Sequence, residues 1–355
     1  DEGARASAGT ANAAVTAQAM AVSQIFRILD CLQRRKYITL DPRNNLFSLT
    51  STLFEMSHRH PPTRRLVARF IEEGAGGIYV CGSTGEAALL RVEERKALAE
   101  CVVSEVAGQI PVMVQVGHTA PVLALELAEH AARCGADAIS STLPPFYTYN
   151  AAQIAGYWST LTRGHDLPFF GYVLQDIGTT WDQVSRWLEA TTRVPNLVGF
   201  KFTNPDAYQI SLLKAWSGGK LNILSGHDQG YLACRAHGAD GAIGTTYNIA
   251  LPLWRRVSSL YEAGDTAGAM EAMNLCARVV AQITSGHLMS RVKLILRRQG
   301  IDCGRARAPL RPEVDLPDSA VDETIALIDS ALRRFARPAA ADRPDVVKAN
   351  VGGTS

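Results

Sequence analysis

RCGADAISS, residues 133–141, reads as a helix end, a glycine and then a short buried strand. A helix closes readily on a glycine in the left-handed conformation, and the small apolar and hydroxyl residues that follow suit a covered strand. The junction recurs as EEGAGGIYV (72–80) and AHGADGAIG (236–244). One repeating strand-helix unit explains this better than two unlike domains. Working outward gives eight candidate strands: LFSLTSTLF (46–54), GIYVCG (77–82), PVMVQVG (111–117), DAISST (137–142), PFFGYV (168–173), LVGFK (197–201), NILSG (222–226) and DGAIGT (240–245). Their spacing, roughly 20–35 residues, is the length of a βα unit. Between them, EERKALAECVVSEVAG (93–108) and VLALELAEHAARCGA (122–136) repeat apolar residues at three and four. A helix packing one face on a sheet has that period.

Strands apolar on both faces imply a parallel sheet covered by helices. Eight units imply closure into a (β/α)8 barrel, with an open doubly wound sheet as the alternative. WRRVSSLYEAGDTAGAMEAMNLCARVVAQITS (254–285) and SAVDETIALIDSALRRFA (319–336) exceed one barrel helix, so a C-terminal helical appendage is expected. The expected division is an N-terminal extension (1–45), a barrel (46–250), C-terminal helices (251–336) and a tail (337–355). Both ends are rich in Ala, Pro and polar residues and read as mobile.

Lys and Arg total 36 against 34 Asp and Glu in 355 residues, a net charge of +2. That balance gives no reason to invoke nucleic acid or an anionic membrane surface. No apolar run is long enough for a membrane span. The small-residue-rich start lacks a basic region before an apolar core, so no secretory signal is read there, and its two leading acids leave a transit peptide weakly supported. Seven dispersed cysteines without a CxxC pair fit free thiols in a reducing compartment, hence a cytoplasmic protein.

Four stretches carry chemistry. VGFKFTNPD (198–206) sets Lys201 among apolar neighbours at the end of the sixth candidate strand. It is either a lysine snorkelling to solvent or an amine kept partly neutral so that it can attack a carbonyl. CGSTGEAALL (81–90) leads from a strand through a turn into a helix. Gly82 and Gly85 allow close backbone approach, Ser83 and Thr84 supply hydroxyls, and free N–H groups could cradle a small carboxylate. The alternative is plain helix capping by Ser83 or Thr84, with Glu86 as a first-turn acid. Tyr172 ends the fifth strand, where it could pass a proton near the amine or simply pack. PPFYTYN (144–150) brings Tyr147 and Tyr149 after the fourth strand, or is an aromatic turn.

In combination and in order, GSTGE, PPFY, the strand-end tyrosine and GFK resemble the N-acetylneuraminate lyase and dihydrodipicolinate synthase family of pyruvate-dependent class I aldolases. The resemblance runs from about Phe47 to about Pro312. It implies a Schiff base between Lys201 and the keto carbon of pyruvate or its adduct, proton transfer by Tyr172, and a carboxylate held by Ser83, Thr84 and Gly85. It also implies that Ser83 links Tyr172 to Tyr147, that Tyr147 crosses a dimer interface in a homotetramer, and that Thr203 faces the substrate. No metal or organic cofactor is implied.

GHDQ (226–229) and GTTYN (244–248) resemble the sialic acid lyase branch, where the matching Gly226, Asp228, Gln229 and Thr245 bind a polyhydroxyl tail. That branch has an acid at the place of Gln229 and a serine at that of Thr245. YVLQDIGTT (172–180) departs from the family's Tyr-Asn-x-Pro, and no arginine occurs from Tyr172 through Gln183, against lysine biosynthesis. The expected activity is cleavage of a 2-keto-3-deoxy sugar acid to pyruvate and an aldehyde. The alternatives are another branch, such as a keto-deoxy-gluconate-type aldolase, a hydratase-aldolase or a dehydratase, and a non-catalytic keto-acid sensor. His58 and His60 with Asp41 lack a third clustered ligand, so no metal site is expected. RRQGIDCGRARAPLRP (297–312) reads as a solvated basic loop.

Overall fold

The computed structural model describes the backbone of residues 38–41, 46–49 and 51–335 apart from Gln175, and side chains from Pro61 onward. Most of the expected extension 1–45, the tail 337–355 and the side chains of Asp41, His58 and His60 lie outside that description. The chain divides into a unit ending at Pro62 and a unit from Thr63. The first holds an antiparallel hairpin of β1 (Ile38–Asp41) and β2 (Leu46–Leu49), with Ile38 opposite Leu49 and Asp41 opposite Leu46. Helix α1 (Ser51–Glu72) spans the division, which falls at its internal pair Pro61 and Pro62, where two backbone donors are missing.

The expected first barrel strand, 46–54, is therefore corrected. Only Leu46–Leu49 is extended, it pairs antiparallel, and the chain is helical from Ser51. After Thr52 the run LFEMSHRH has no β-branched residue, and Leu, Glu, Met and Arg favour helix.

In the second unit seven parallel strands lie in chain order: β3 (Ile78–Val80), β4 (Val112–Gln115), β5 (Ala138–Ser141), β6 (Phe169–Val173), β7 (Leu197–Phe202), β8 (Asn222–Ser225) and β9 (Gly241–Ala242). Six of the seven fall within the remaining expected strands, and β7 runs one residue past its expected end, to Phe202. They alternate with α2 (Val92–Val106), α3 (Pro121–Cys134), α4 (Ala151–Leu161), α5 (Trp181–Thr191), α6 (Tyr208–Trp216) and α7 (Tyr231–Ala236). The junction glycines Gly74, Gly135 and Gly238 are all left-handed, at φ 77°, 86° and 97°. The aspartate of the GAD junctions has its own task. Asp137 accepts the amide of Val112 at 2.8 Å, and Asp240 that of Ile223 at 2.7 Å, each satisfying an N–H in the first two residues of the neighbouring strand.

The sheet curls. Thr84, just past β3, and Thr245, just past β9, share a hydrogen bond of 2.7 Å between their hydroxyls, so the two outermost strands converge at their C-terminal ends. This is the (β/α)8-barrel fold, with seven barrel strands among the described residues. The helix layer packs on aromatic residues of the outer face: Trp187 lies 5.1 Å from Phe200, and Trp158 5.7 Å from Phe169. A second apolar core joins α8 (Tyr247–Glu262), α9 (Thr266–Thr284), α10 (Leu288–Arg298) and α11 (Asp322–Phe335), the expected C-terminal helices.

Candidate active site

Side chains alternate across a strand. In β7, Phe200 and Phe202 are fully buried and Phe200 faces the helices. Lys201, between them, must point into the barrel. It is 6% exposed, so it does not snorkel to bulk water. Tyr172 stands directly opposite on β6, in register with Lys201, and is equally buried. The Lys201 nitrogen lies 4.2 Å from the centre of the Tyr172 ring and 4.3 Å from that of Tyr79. It forms no ion pair among the described residues. Burial holds its pKa below the ordinary lysine value, partly offset by Tyr172 and then by Asp228. The result is a sheltered amine that loses its proton more easily than a surface lysine.

The turn after β3 is strained on both sides: Cys81 and Glu86 are left-handed at φ 58° and 55°. Ser83 and Gly85 are exposed and Thr84 is half-buried. Neither simple capping nor an α-helix follows. A short turn at Ala87–Leu89 has no side-chain cap, and α2 begins only at Val92. Among the described residues the amides of Ser83, Thr84 and Gly85 have no backbone acceptor, which leaves them free for an anion. Glu86, read as a first-turn acid in the capping alternative, is buried. It meets Lys293 of α10 at 2.9 Å and accepts the Arg307 amide at 3.2 Å. Arg307 also pairs with Glu94 at 2.7 Å. The stretch 297–312, expected as a solvated loop, is thus anchored on the turn through Arg307.

On the opposite rim, Thr203 carries a buried hydroxyl with no hydrogen-bond partner among the described residues. An unpartnered buried donor beside the amine is a natural contact for a ligand. Gly226 makes room for it, since a Cβ there would lie 1.8 Å from the Thr203 hydroxyl. Asp228 is buried and already engaged: it accepts the Thr246 amide at 2.9 Å and the Thr246 hydroxyl at 2.6 Å. Burial raises its pKa against those bonds. Gln229 is exposed, and the Thr245 hydroxyl is tied to Thr84.

The structure therefore gathers Lys201, Tyr172, Thr203, Gly226 and Asp228, and links Thr84 to Thr245. It does not bring Tyr147 to them within one chain. Tyr147 is 77% exposed beside Phe146, which is 95% exposed and left-handed at φ 79°. Ser83 makes no side-chain hydrogen bond to Tyr172 or Tyr147 among the described residues. In the atypical segment after Tyr172, Asp176 accepts from Gly178 at 2.8 Å and from Gln209 at 2.6 Å.

Sequence reasoning missed Tyr79, Thr246 and Arg95. Arg95 is 2% exposed and donates to Gly117 and Gln115 carbonyls and to the Gln115 side chain at 2.6–2.9 Å, tying α2 to the end of β4. A tyrosine in a covered strand was the available signal for Tyr79, because its hydroxyl needs a partner there. Among the described residues no group of three His, Cys, Asp or Glu side chains is placed to hold a metal, and no helix is long and apolar enough to cross a membrane.

Residues 59–326 match the dihydrodipicolinate synthetase family. An N-acetylneuraminate lyase from Lactiplantibacillus plantarum is 32% identical over 253 residues, 70% of this chain and 85% of the relative. A Ruminococcus gnavus sialic acid aldolase, solved as a catalytic lysine mutant, aligns with TM-score 0.73 at 26% identity over 85% of this chain and 96% of that one. The Proteus mirabilis N-acetylneuraminate lyase gives TM-score 0.68 at 29% identity over 77% and 92%.

Proposed function

The chain belongs to the dihydrodipicolinate synthetase family, and on that premise we propose that it is a Schiff-base lyase of the N-acetylneuraminate lyase type. It would cleave a 2-keto-3-deoxy sugar acid to pyruvate and an aldehyde. The observation that carries this is the Lys201 amine: buried at a strand end, without an ion pair among the described residues, and set against Tyr172.

In this reading the neutral Lys201 nitrogen adds to the keto carbon. Two proton transfers convert the carbinolamine hydroxyl to water, which leaves an iminium. Tyr172 removes the proton from the C4 hydroxyl, the C3–C4 bond breaks, and its electron pair moves into the iminium to give an enamine. The aldehyde departs, C3 takes a proton, and water releases pyruvate and the amine. The turn at Ser83, Thr84 and Gly85 holds the carboxylate through free amides and hydroxyls. Thr203 offers its unpaired hydroxyl to the same substrate. Gly226, Asp228, Gln229 and Thr245 line the side that receives the rest of the sugar. Asp228 acts there through what Thr246 leaves free. The lysine is the electron sink, so the reaction as written draws on no metal or organic cofactor.

The exposed Phe146 and Tyr147 suit a subunit interface, and we assign a homotetramer, a dimer of dimers, in which Tyr147 completes a neighbour's site. Free cysteines among the described residues accord with a cytoplasmic enzyme. The test is a panel of 2-keto acids of increasing chain length, with pyruvate release measured for wild type and Lys201→Ala. Release from N-acetylneuraminate above all shorter acids, abolished in Lys201→Ala, is expected. Faster turnover of the shorter acids overturns the branch, and no turnover of any overturns the activity.

A further inference from the structure

Lys201 has two aromatic neighbours, and the proton-transfer scheme uses only one. We propose that the Tyr79 ring is part of the reacting centre: with Tyr172 it forms an aromatic clamp that carries the positive charge of the Lys201 nitrogen, above all in the iminium. The iminium half of this proposal rests on the lyase reading. The clamp itself does not.

The geometry is specific. The nitrogen lies 4.3 Å from the Tyr79 ring centre and 4.2 Å from that of Tyr172, both inside the range of cation–π attraction. The two rings meet edge to face, at 6.3 Å and 83°, and so brace one another. Tyr79 is fixed at both ends. Its hydroxyl donates to Ser140 on β5 at 3.2 Å, and Gly82 leaves space for its ring, since a Cβ there would sit 2.7 Å from a ring carbon. With the hydroxyl occupied by Ser140, the ring is what Tyr79 offers the amine.

The titratable and charged groups around the nitrogen make this matter. Tyr79 approaches from β3, Tyr172 from β6, and Asp228 from the segment after β8. Arg95 and Cys81 act on Tyr79 in turn. Asp228 is held by Thr246, and among the described residues no carboxylate forms an ion pair with the amine. A free amine can escape the cost of burial by shedding its proton. The cleavage step needs the iminium itself, because a neutral imine that has lost its N–H proton is a far weaker electron sink, so the charge must be kept on the nitrogen until the enamine forms. The π faces stabilise that obligate cation and lose their hold once the charge collapses into the enamine.

The experiment compares Tyr79→Phe, which keeps the ring, with Tyr79→Leu, which removes it. Trace labelling with acetic anhydride, read by mass spectrometry on the Lys201 peptide across pH, reports amine protonation without any turnover. A ring that favours the protonated form predicts that Tyr79→Leu moves the labelling midpoint about one pH unit toward acid, while Tyr79→Phe stays within a few tenths. Borohydride trapping at saturating pyruvate should then recover about five-fold less adduct in Tyr79→Leu and an unchanged amount in Tyr79→Phe. Tyr79→Met, similar in volume, replaces the leucine variant if that one fails to fold. Equal midpoints in all variants overturn the clamp. A shift shared by the phenylalanine and leucine variants overturns it too, because the hydroxyl would then be responsible. A wild type that shows the labelling pattern but traps no pyruvate overturns the iminium half, and the labelling curve separates that result from failure of the clamp.

Discussion

Gly226→Ala adds one methyl group at the most crowded point of the site. Its Cβ would lie 1.8 Å from the Thr203 hydroxyl, 3.0 Å from the Thr203 Cβ and 3.4 Å from the Lys201 Cε. Ordinary contacts lie at about 3.5–4.0 Å, so the hydroxyl must move by more than about 1.5 Å. Rotating Thr203 moves the hydroxyl but leaves its Cβ too close. The backbone cannot drift freely, because the Gly226 amide bonds to Phe202 at 2.8 Å and the Thr203 amide to Val173 at 2.9 Å. Overpacking of this kind costs about 1–3 kcal/mol of stability. A displacement of order 1 Å at Thr203 and Lys201 should cost about 10²-fold in turnover. Urea unfolding and pyruvate release, measured on one preparation, read both. In Gly226→Ala with Thr203→Ala the hydroxyl overlap is gone, so about 1 kcal/mol of the stability should return while activity stays low. A single variant with wild-type stability and turnover would refute the packing argument.

Two further perturbations test the surroundings. The folded pKa of Lys201 lies below its ordinary value of 10.5, so the unfolded chain binds more protons between the two values and the wild type gains stability as pH rises through that window. Lys201→Met should therefore exceed the wild type in stability at neutral pH, with the gap narrowing toward pH 10.5 in urea titrations; a constant gap contradicts the depressed pKa. Lys293→Met leaves Glu86 buried without its cation, and should cost about 2–3 kcal/mol and raise KM as the turn loosens. Glu86→Gln in the same chain should restore much of that stability, and a loss below about 0.5 kcal/mol in the single variant would show the pair to be incidental.

The barrel was legible because its signals are local. Covered strands read as short apolar runs, and the helix ends carry a glycine whose left-handed conformation the structure bears out at Gly74, Gly135 and Gly238. The first strand misled because LFSLTSTLF joins strand-like hydroxyl residues to a helix-forming continuation, and periodicity cannot place that switch. Lys201 and Tyr172 stood out as polar groups in apolar strands, and their pairing in register follows from adjacent parallel strands. What lay hidden was long-range pairing. Arg307 and Glu86 are 221 positions apart, and nothing near either announces the other. The engagement of Asp228 by Thr246 was likewise invisible: the residue expected to bind the polyhydroxyl tail already has one oxygen taken.

The account stands most directly on Lys201 as the nucleophile. Pyruvate and borohydride are added together, the protein is digested, and the peptides are weighed. A reduced pyruvate adduct on Lys201 alone, absent when pyruvate is omitted, is the predicted result. An unmodified Lys201 at saturating pyruvate, or an adduct spread over surface lysines, would contradict it.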